Sequence, residues 1–106
     1  QYTVEDVVSR VDEAMRHAIQ HGTCAIRLFA DVDDASGLTA VEGLLQIKAR
    51  YQPWMTVQVV AFPQDGVTST RTLQLMREAQ KAVLAFVRSL DPAVENFSDV
   101  VERCLP

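Results

Sequence analysis

The sequence predicts an α/β fold in which helices surround two parallel strands. Two short apolar runs carry this prediction, one ending in Asp31-Val32-Asp33-Asp34 and the other in Pro63-Gln64-Asp65-Gly66. Apolar runs that stop at polar turns are typical of buried strands in parallel sheets. A stretch with helical spacing separates the two runs, and neighbouring strands joined through a helix are parallel. The predicted order is helix, strand, helix, strand, helix, helix.

Length and charge set limits on the class of protein. The chain has 106 residues, which fits a single domain over residues 1–106. It carries 10 Lys and Arg against 14 Asp and Glu, a net charge of −4, and no basic stripe, so we expect no nucleic-acid partner. No apolar run is long enough to span a membrane and no signal peptide is recognisable, so we expect no membrane partner and a cytoplasmic location.

The first helix has clear start and stop signals. Thr3 followed by Asp6 resembles a capping box in which Asp replaces the usual Glu or Gln. Apolar residues then recur at helical spacing over residues 4–19. The pair His21-Gly22 predicts the end of the helix.

The middle of the chain supplies a strand, a loop and a second helix. The first strand is predicted over Thr23 to Ala30, and Arg27 requires that one side of it reach water or an acid. Residues 31–37 form a loop, in which Asp34 or Ser36 could cap the next helix. That helix is predicted over residues 38–51, before Pro53.

The second half continues with a strand and two helices. The second strand is predicted over residues 55–62, and helical spacing resumes at Leu73. Residues 82–87 could instead be a short third strand, although the absence of a preceding turn residue favours a continued helix. Asp91-Pro92 predicts the start of a last helix. We expect Phe86 and Phe97 to be buried by these two helices.

An acidic cluster after the first strand resembles part of a calcium loop. Asp31, Asp33 and Glu42 occupy positions one, three and twelve of such a loop. Position five is Ala35, and position six is Ser36 where glycine is needed. Carboxylates near a helix N-terminus are the favoured interpretation.

Other single residues have structural interpretations. His17 and His21 are spaced for a two-ligand metal site, but no third ligand is nearby, and a histidine at a helix C-terminus favours the dipole. Cys24 opens a predicted buried strand, which favours a free, reduced, apolar role. Trp54 precedes the second strand, where packing is favoured over ligand stacking. We expect no metal and no cofactor.

The motifs resemble a known family. Ala25-Ile26-Arg27, then Asp31-Val32-Asp33, and the run from Val57 to Gly66 (VQVVAFPQDG) are similar to the cytosine deaminase and isopropylammelide amidohydrolase branch of the amidohydrolase superfamily. The resemblance covers roughly residues 3–79, and residues 80–106 form a divergent helical tail. It implies an early segment of a TIM barrel, since those enzymes are metal-dependent barrels of eight β/α units.

The resemblance also has implications for the site. The family's metal ligands lie upstream and downstream of the matching region, and Leu28 and Phe29 stand where the family has Thr and His. The family's Gln at the position of Gln64 contacts the substrate ring. Asp31 and Asp33 match the family pattern without being its metal ligands.

Two functions follow as expectations. The first is a non-catalytic module whose open sheet edges or apolar helix faces are completed by self-association into a homodimer or larger homo-oligomer. The alternative is a binder of pyrimidine-like or triazine-like small molecules, or a vestigial metal-dependent hydrolase. Its ligand-binding residues would be Gln64, Asp31, Asp33 and Arg27, at the C-terminal rim of the strands.

Overall fold

The computed structural model describes residues 2–90, which form three helices and a two-stranded parallel sheet. The elements are α1 (Val4–Gln20), β1 (Ala25–Asp31), α2 (Thr39–Tyr51), β2 (Thr56–Phe62) and α3 (Thr70–Leu90). This confirms the α/β class and the parallel strands. The last predicted helix, with Phe97 and Cys104, lies outside the described residues.

The two strands pair in parallel over their full length. The register runs from Ala25 opposite Thr56 to Asp31 opposite Phe62. Two further bonds extend the ladder, from Thr56 N to the Cys24 oxygen and from Val32 N to the Phe62 oxygen, both 3.0 Å. In this pattern the even-numbered residues of both strands bond each other across the sheet. The backbone groups of the odd-numbered residues therefore point towards the two outer edges.

The outer edge of β2 is covered at the first of its carbonyl groups that points away from β1. The ammonium group of Lys48, from α2, donates a hydrogen bond to the Val57 oxygen, which points away from β1. Burial lowers the pKa of Lys48. At the other end of β2 comes Pro63, which has no backbone N–H to offer at that edge.

The ends of α1 follow the sequence signals. Thr3 Oγ1 accepts a hydrogen bond from the Asp6 backbone N–H at 3.2 Å, and Asp6 Oδ2 accepts one from the Thr3 N–H at 3.0 Å. The second of these bonds is the main cause of the lowered pKa of Asp6. His21 caps the C-terminus, and Gly22 follows with a φ of 85°, a left-handed conformation that favours glycine. The predicted capping box and helix end are confirmed.

The start of α2 differs from the prediction, and α3 shows which of two predicted alternatives is right. The N-cap of α2 is Leu38, which makes no side-chain cap bond, so the predicted cap by Asp34 or Ser36 is wrong. The third helix is continuous to Leu90, so residues 82–87 are helical, and Phe86 on it is half-buried. None of the helices within residues 2–90 has the length and apolar character needed to cross a membrane.

The second helix is the centre of the core. Its buried side chains Val41, Leu44 and Ile47 pack between the strands and the two other helices. Helix α1 approaches α2 closely at Gly43, where an added Cβ atom would lie 2.6 Å from Val7 Cγ1 and 2.8 Å from Val7 Cβ. Glycine at this position therefore lets the two helix backbones approach.

A polar cluster joins α1 to the end of α2. The carboxylate of Asp12 accepts hydrogen bonds from the Tyr51 hydroxyl at 2.7 Å and from Arg50 Nη1 at 2.9 Å, and it pairs with Arg16 Nη2 at 2.9 Å. The bond from Tyr51 is the main cause of the lowered pKa of Asp12. Burial is the main cause of the raised pKa of Tyr51. Both oxygens of this buried carboxylate thus have partners.

The two faces of the sheet differ sharply. Side chains alternate between them, and the helices pack on one face, here called the helix-covered face. It carries Ile26, Leu28, Ala30, Val57, Val59 and Ala61. The opposite side, here called the open face, carries Ala25, Arg27, Phe29, Asp31, Thr56, Gln58, Val60 and Phe62. Phe29 is 61% exposed and Phe62 46% exposed, so the expectation that helices would cover both faces is wrong for residues 2–90.

Two residues expected in the interior lie at the surface. Cys24 is a free cysteine and is exposed. It precedes the first residue of β1, and its backbone oxygen is the part of it that joins the ladder. Trp54 is 67% exposed, and its ring meets Tyr51 edge-on with centroids 6.4 Å apart. The predicted apolar role for Cys24 and the predicted packing role for Trp54 are therefore wrong, apart from that one ring contact.

The close contact at Gly43 gives a stability prediction. We expect Gly43→Ala to lower the free energy of unfolding by about 1–3 kcal/mol, because the new methyl group pushes Val7 and α1 away. Alanine's better helix propensity, about 1 kcal/mol, works in the opposite direction. Urea denaturation followed by circular dichroism measures the change. Gln46→Ala, at an exposed position of the same helix, is the control, and a Gly43→Ala protein at least as stable as wild type would contradict the packing argument.

Candidate functional site

The C-terminal ends of both strands meet at one rim of the sheet, where Asp31 and Gln64 come together. Asp31 ends β1 and is half-buried, while Gln64 follows Pro63 in the turn after β2. Hydrogen-bonding chemistry orients the Gln64 amide with its nitrogen towards β1, where Nε2 lies 3.1 Å from both carboxylate oxygens of Asp31. An acceptor and a donor group thus adjoin at the rim.

Asp33 faces its own loop. Its Oδ1 accepts hydrogen bonds from the backbone N–H of Ala35 at 2.9 Å and of Ser36 at 2.7 Å, and from the Ser36 hydroxyl at 2.7 Å. The bond from the Ser36 N–H is the main cause of the lowered pKa of Asp33. An isolated bridge to Gly37, whose φ is 58°, closes the turn. The carboxylate of Asp33 therefore stabilises the loop.

Arg27 lies on the open face, away from the rim. It precedes Asp31 by four positions, which is about 13 Å along an extended strand. Its Nε donates to Gln58 Oε1 at 2.9 Å, across to the neighbouring strand. Of the four predicted ligand-binding residues, the structure brings together Asp31 and Gln64. It places Asp33 in a turn and Arg27 further down the sheet.

A second polar cluster at the rim joins the two loops. The carboxylate of Asp34 accepts hydrogen bonds from Thr72 Oγ1 at 2.9 Å and from Ser69 Oγ at 3.2 Å. Ser69 is the residue before α3, and its hydroxyl accepts the Thr72 backbone N–H at 3.0 Å. Ser69 is therefore the N-cap of α3, and Asp34 places a negative charge beside the positive end of that helix.

The sequence does not predict this cluster, since the expected role of Asp34 as a cap of α2 is wrong. The signal was present, since Ser69 is a favoured N-cap residue and stands four positions before Leu73, where the apolar pattern begins. The partner of Asp34 was not readable, because it lies 35 residues further along the chain. Only the parallel pairing of β1 and β2 brings the two loops side by side.

The described residues offer no evident metal centre. Nowhere in residues 2–90 do three or more His, Cys, Asp or Glu side chains come together in a way that could hold a metal ion. The His17 and His21 rings lie 4.8 Å apart, and His21 Nδ1 lies 2.8 Å from the His17 carbonyl oxygen. In the calcium-like segment, Oδ1 of Asp33 is held by three hydrogen bonds within its own turn.

Two curated proteins are similar to this chain. One is "Uncharacterized protein YahJ" of Escherichia coli (strain K12), with 37% identity over 71 residues, which is 67% of this chain and 15% of that protein. The other is "N-isopropylammelide isopropyl amidohydrolase" of Pseudomonas sp. (strain ADP), with 32% identity over 95 residues, which is 89% of this chain and 24% of that protein. No family model matches the chain. No solved structure matches it either.

These similarities confirm the partial resemblance to an isopropylammelide amidohydrolase. The chain spans about a quarter or less of the length of the curated relatives that it matches.

The N-cap of α3 gives a prediction for the rim. We expect Ser69→Ala to lower the free energy of unfolding by about 0.5–2 kcal/mol, because the first turn of α3 loses its cap and Asp34 loses a donor. Thermal denaturation measures the loss. Ser9→Ala, at an exposed position inside α1, is the matched control and should be neutral or slightly stabilising. Equal effects of the two substitutions would contradict the capping role.

Proposed function

We propose that this chain, which resembles about a quarter of an amidohydrolase, is a non-catalytic α/β module that associates with a second copy of itself. The open face carries the argument. Parallel sheets are normally covered on both faces, yet Phe29 and Phe62 are 61% and 46% exposed there. Their rings meet edge-on with centroids 6.2 Å apart, forming one aromatic patch.

Covering this patch is favourable. Burial of apolar surface contributes about 25 cal/mol per Å². A large aromatic side chain has about 150–250 Å² to bury in all, and about half of it is still exposed in Phe29 and Phe62, which together form the apolar centre of an interface. Exposed aromatic patches of this kind mark interaction surfaces.

The polar groups at the rim support a role without catalysis. Asp31 and Gln64 bond each other, and a carboxylate with an amide is a weak means of activating water.

Sedimentation equilibrium of the 106-residue chain tests self-association. We expect a dimer or larger species that dissociates on dilution in the micromolar range. The variant carrying Phe29→Ser and Phe62→Ser should be monomeric, because the apolar centre is removed. The control is Trp54→Ser, which removes a comparably exposed aromatic side chain near the other end of the sheet. This variant should associate like wild type. A wild-type protein that stays monomeric at about 100 µM contradicts the proposal.

A second candidate function rests on the Asp31–Gln64 pair. A carboxylate and an amide side by side can hydrogen-bond a flat ring bearing both donors and acceptors, such as a pyrimidine or a triazine. The aromatic surface of Phe62, two residues before Gln64, is available for the apolar part of such a ring. The similarity to a protein named for its action on N-isopropylammelide supports this class of ligand.

Thermal shift with cytosine, uracil and N-isopropylammelide tests this second function. We expect a ligand at a hundredfold excess over its Kd to stabilise the protein by about 2.7 kcal/mol. Gln64→Ala should abolish the shift, while Gln52→Ala, an exposed glutamine at the opposite end of the sheet, should preserve it. Binding that survives Gln64→Ala, or no shift with any of the three compounds, contradicts a site at the rim.

A further inference from the structure

We infer that the second copy packs on the open face with its strands antiparallel, about a two-fold axis near Phe29, so that Arg27 of each copy meets Asp31 of the other. The inference rests on the proposed self-association and specifies its geometry. It starts from the order of three side chains along β1: a cation, an aromatic ring and an anion, at every second residue.

The three side chains lie on the same face of the strand. Residues two apart point the same way and are separated by about 6–7 Å. Arg27 and Asp31 are therefore equally far from Phe29, one on each side of it. A two-fold axis that passes near Phe29 and reverses the strand direction exchanges the two positions. The pattern is then complementary to itself, with two ion pairs flanking an aromatic centre.

Charge disfavours the arrangement in which β1 packs on β1 of the second copy in the same direction. In that arrangement Arg27 would face Arg27 and Asp31 would face Asp31. Like charges brought together at an interface cost several kcal/mol. The antiparallel arrangement converts both repulsions into attractions.

The side chains are already positioned for these contacts. Gln58 holds the guanidinium of Arg27 over the sheet through a 2.9 Å hydrogen bond. The Gln64 amide, 3.1 Å from Asp31, holds that carboxylate at the rim. Packed sheets lie about 10 Å apart, a distance that an arginine side chain and two opposed phenylalanine rings can span.

The open face is a better surface for this contact than the β2 edge of the sheet. Lys48 covers the Val57 carbonyl at the β2 edge, and Pro63 offers no N–H there. The helices pack on the opposite face, so two open faces can meet without a helix between them.

The contact is small and depends on charge. Two strands of seven residues make a surface about 23 Å long and about 10 Å wide, well below the roughly 800 Å² per partner of a standard interface. We therefore expect weak, salt-sensitive association in which the flanking ion pairs decide the register.

Charge reversal tests the geometry. Arg27→Glu places two carboxylates in each flanking contact, and Asp31→Arg places two guanidinium groups there. We expect the dimer dissociation constant of each single variant, measured by sedimentation equilibrium, to be at least about tenfold higher than that of wild type. An equimolar mixture of the two should form heterodimers, since each flanking contact then joins a Glu or Asp to an Arg. The double variant Arg27→Glu with Asp31→Arg should regain association. Arg77→Glu, an exposed charge reversal on α3, is the control and should associate like wild type.

The outcomes separate the geometry from self-association itself. Far-UV circular dichroism first confirms that each variant is folded. If wild type is a dimer but the mixed variants stay monomeric, or if the single variants dimerise as wild type does, the antiparallel register is overturned and self-association stands. If wild type is a monomer, both proposals fail. Association that is unchanged between low and high salt also overturns the role of the ion pairs.

Discussion

The structure depends on one constraint, which is that a parallel pair of strands has two faces and both contain apolar side chains. The second helix meets this constraint on one side, with Val41, Leu44 and Ile47 fully or almost fully buried. The other two helices flank it on the same side, and Gly43 permits the close approach of the first. Within residues 2–90 every helix is thus committed to one face, and the aromatic open face is the direct consequence.

The acidic loop after β1 is a structural junction. Its three aspartates have three different partners: Asp31 faces Gln64, Asp33 closes its own turn, and Asp34 reaches the start of α3. Together they tie the loop after one strand to the loop after the other. Asp31 and Asp33, two of the three carboxylates that suggest a cation site in the sequence, therefore have partners from the protein itself.

Local features of the fold could be predicted from the sequence. The capping box at Thr3, the glycine stop at Gly22 and the apolar spacing of the helices each depend on residues a few positions apart. Features that depend on distant residues could not be predicted. The contact of Asp34 with Ser69, the exposure of Cys24 and the uncovered Phe29 follow from which face each helix occupies. Periodicity shows that a helix has an apolar side but leaves open which surface that side covers.

The site could be predicted in part for the same reason. Gln64 and Asp31 were placed at a common rim because parallel strands end together, and in the structure their side chains adjoin. Arg27 belongs to the same strand but lies too far back along it to reach them. Alternation assigns a residue to a face, and distance along the strand then decides what it can touch.

The Lys48 contact on the β2 edge bears on aggregation. Unpaired strand edges are templates for fibril growth, because any extended chain can add to their free N–H and C=O groups. The ammonium group of Lys48 occupies the first outward carbonyl of β2, and Pro63 interrupts the series of donors just beyond its last residue. An incoming strand would have to displace this partly buried ammonium group before it could form a hydrogen bond with the Val57 carbonyl. A sheet with only two strands is thereby protected from runaway polymerisation along this edge, while its face stays available for a contact that closes on itself.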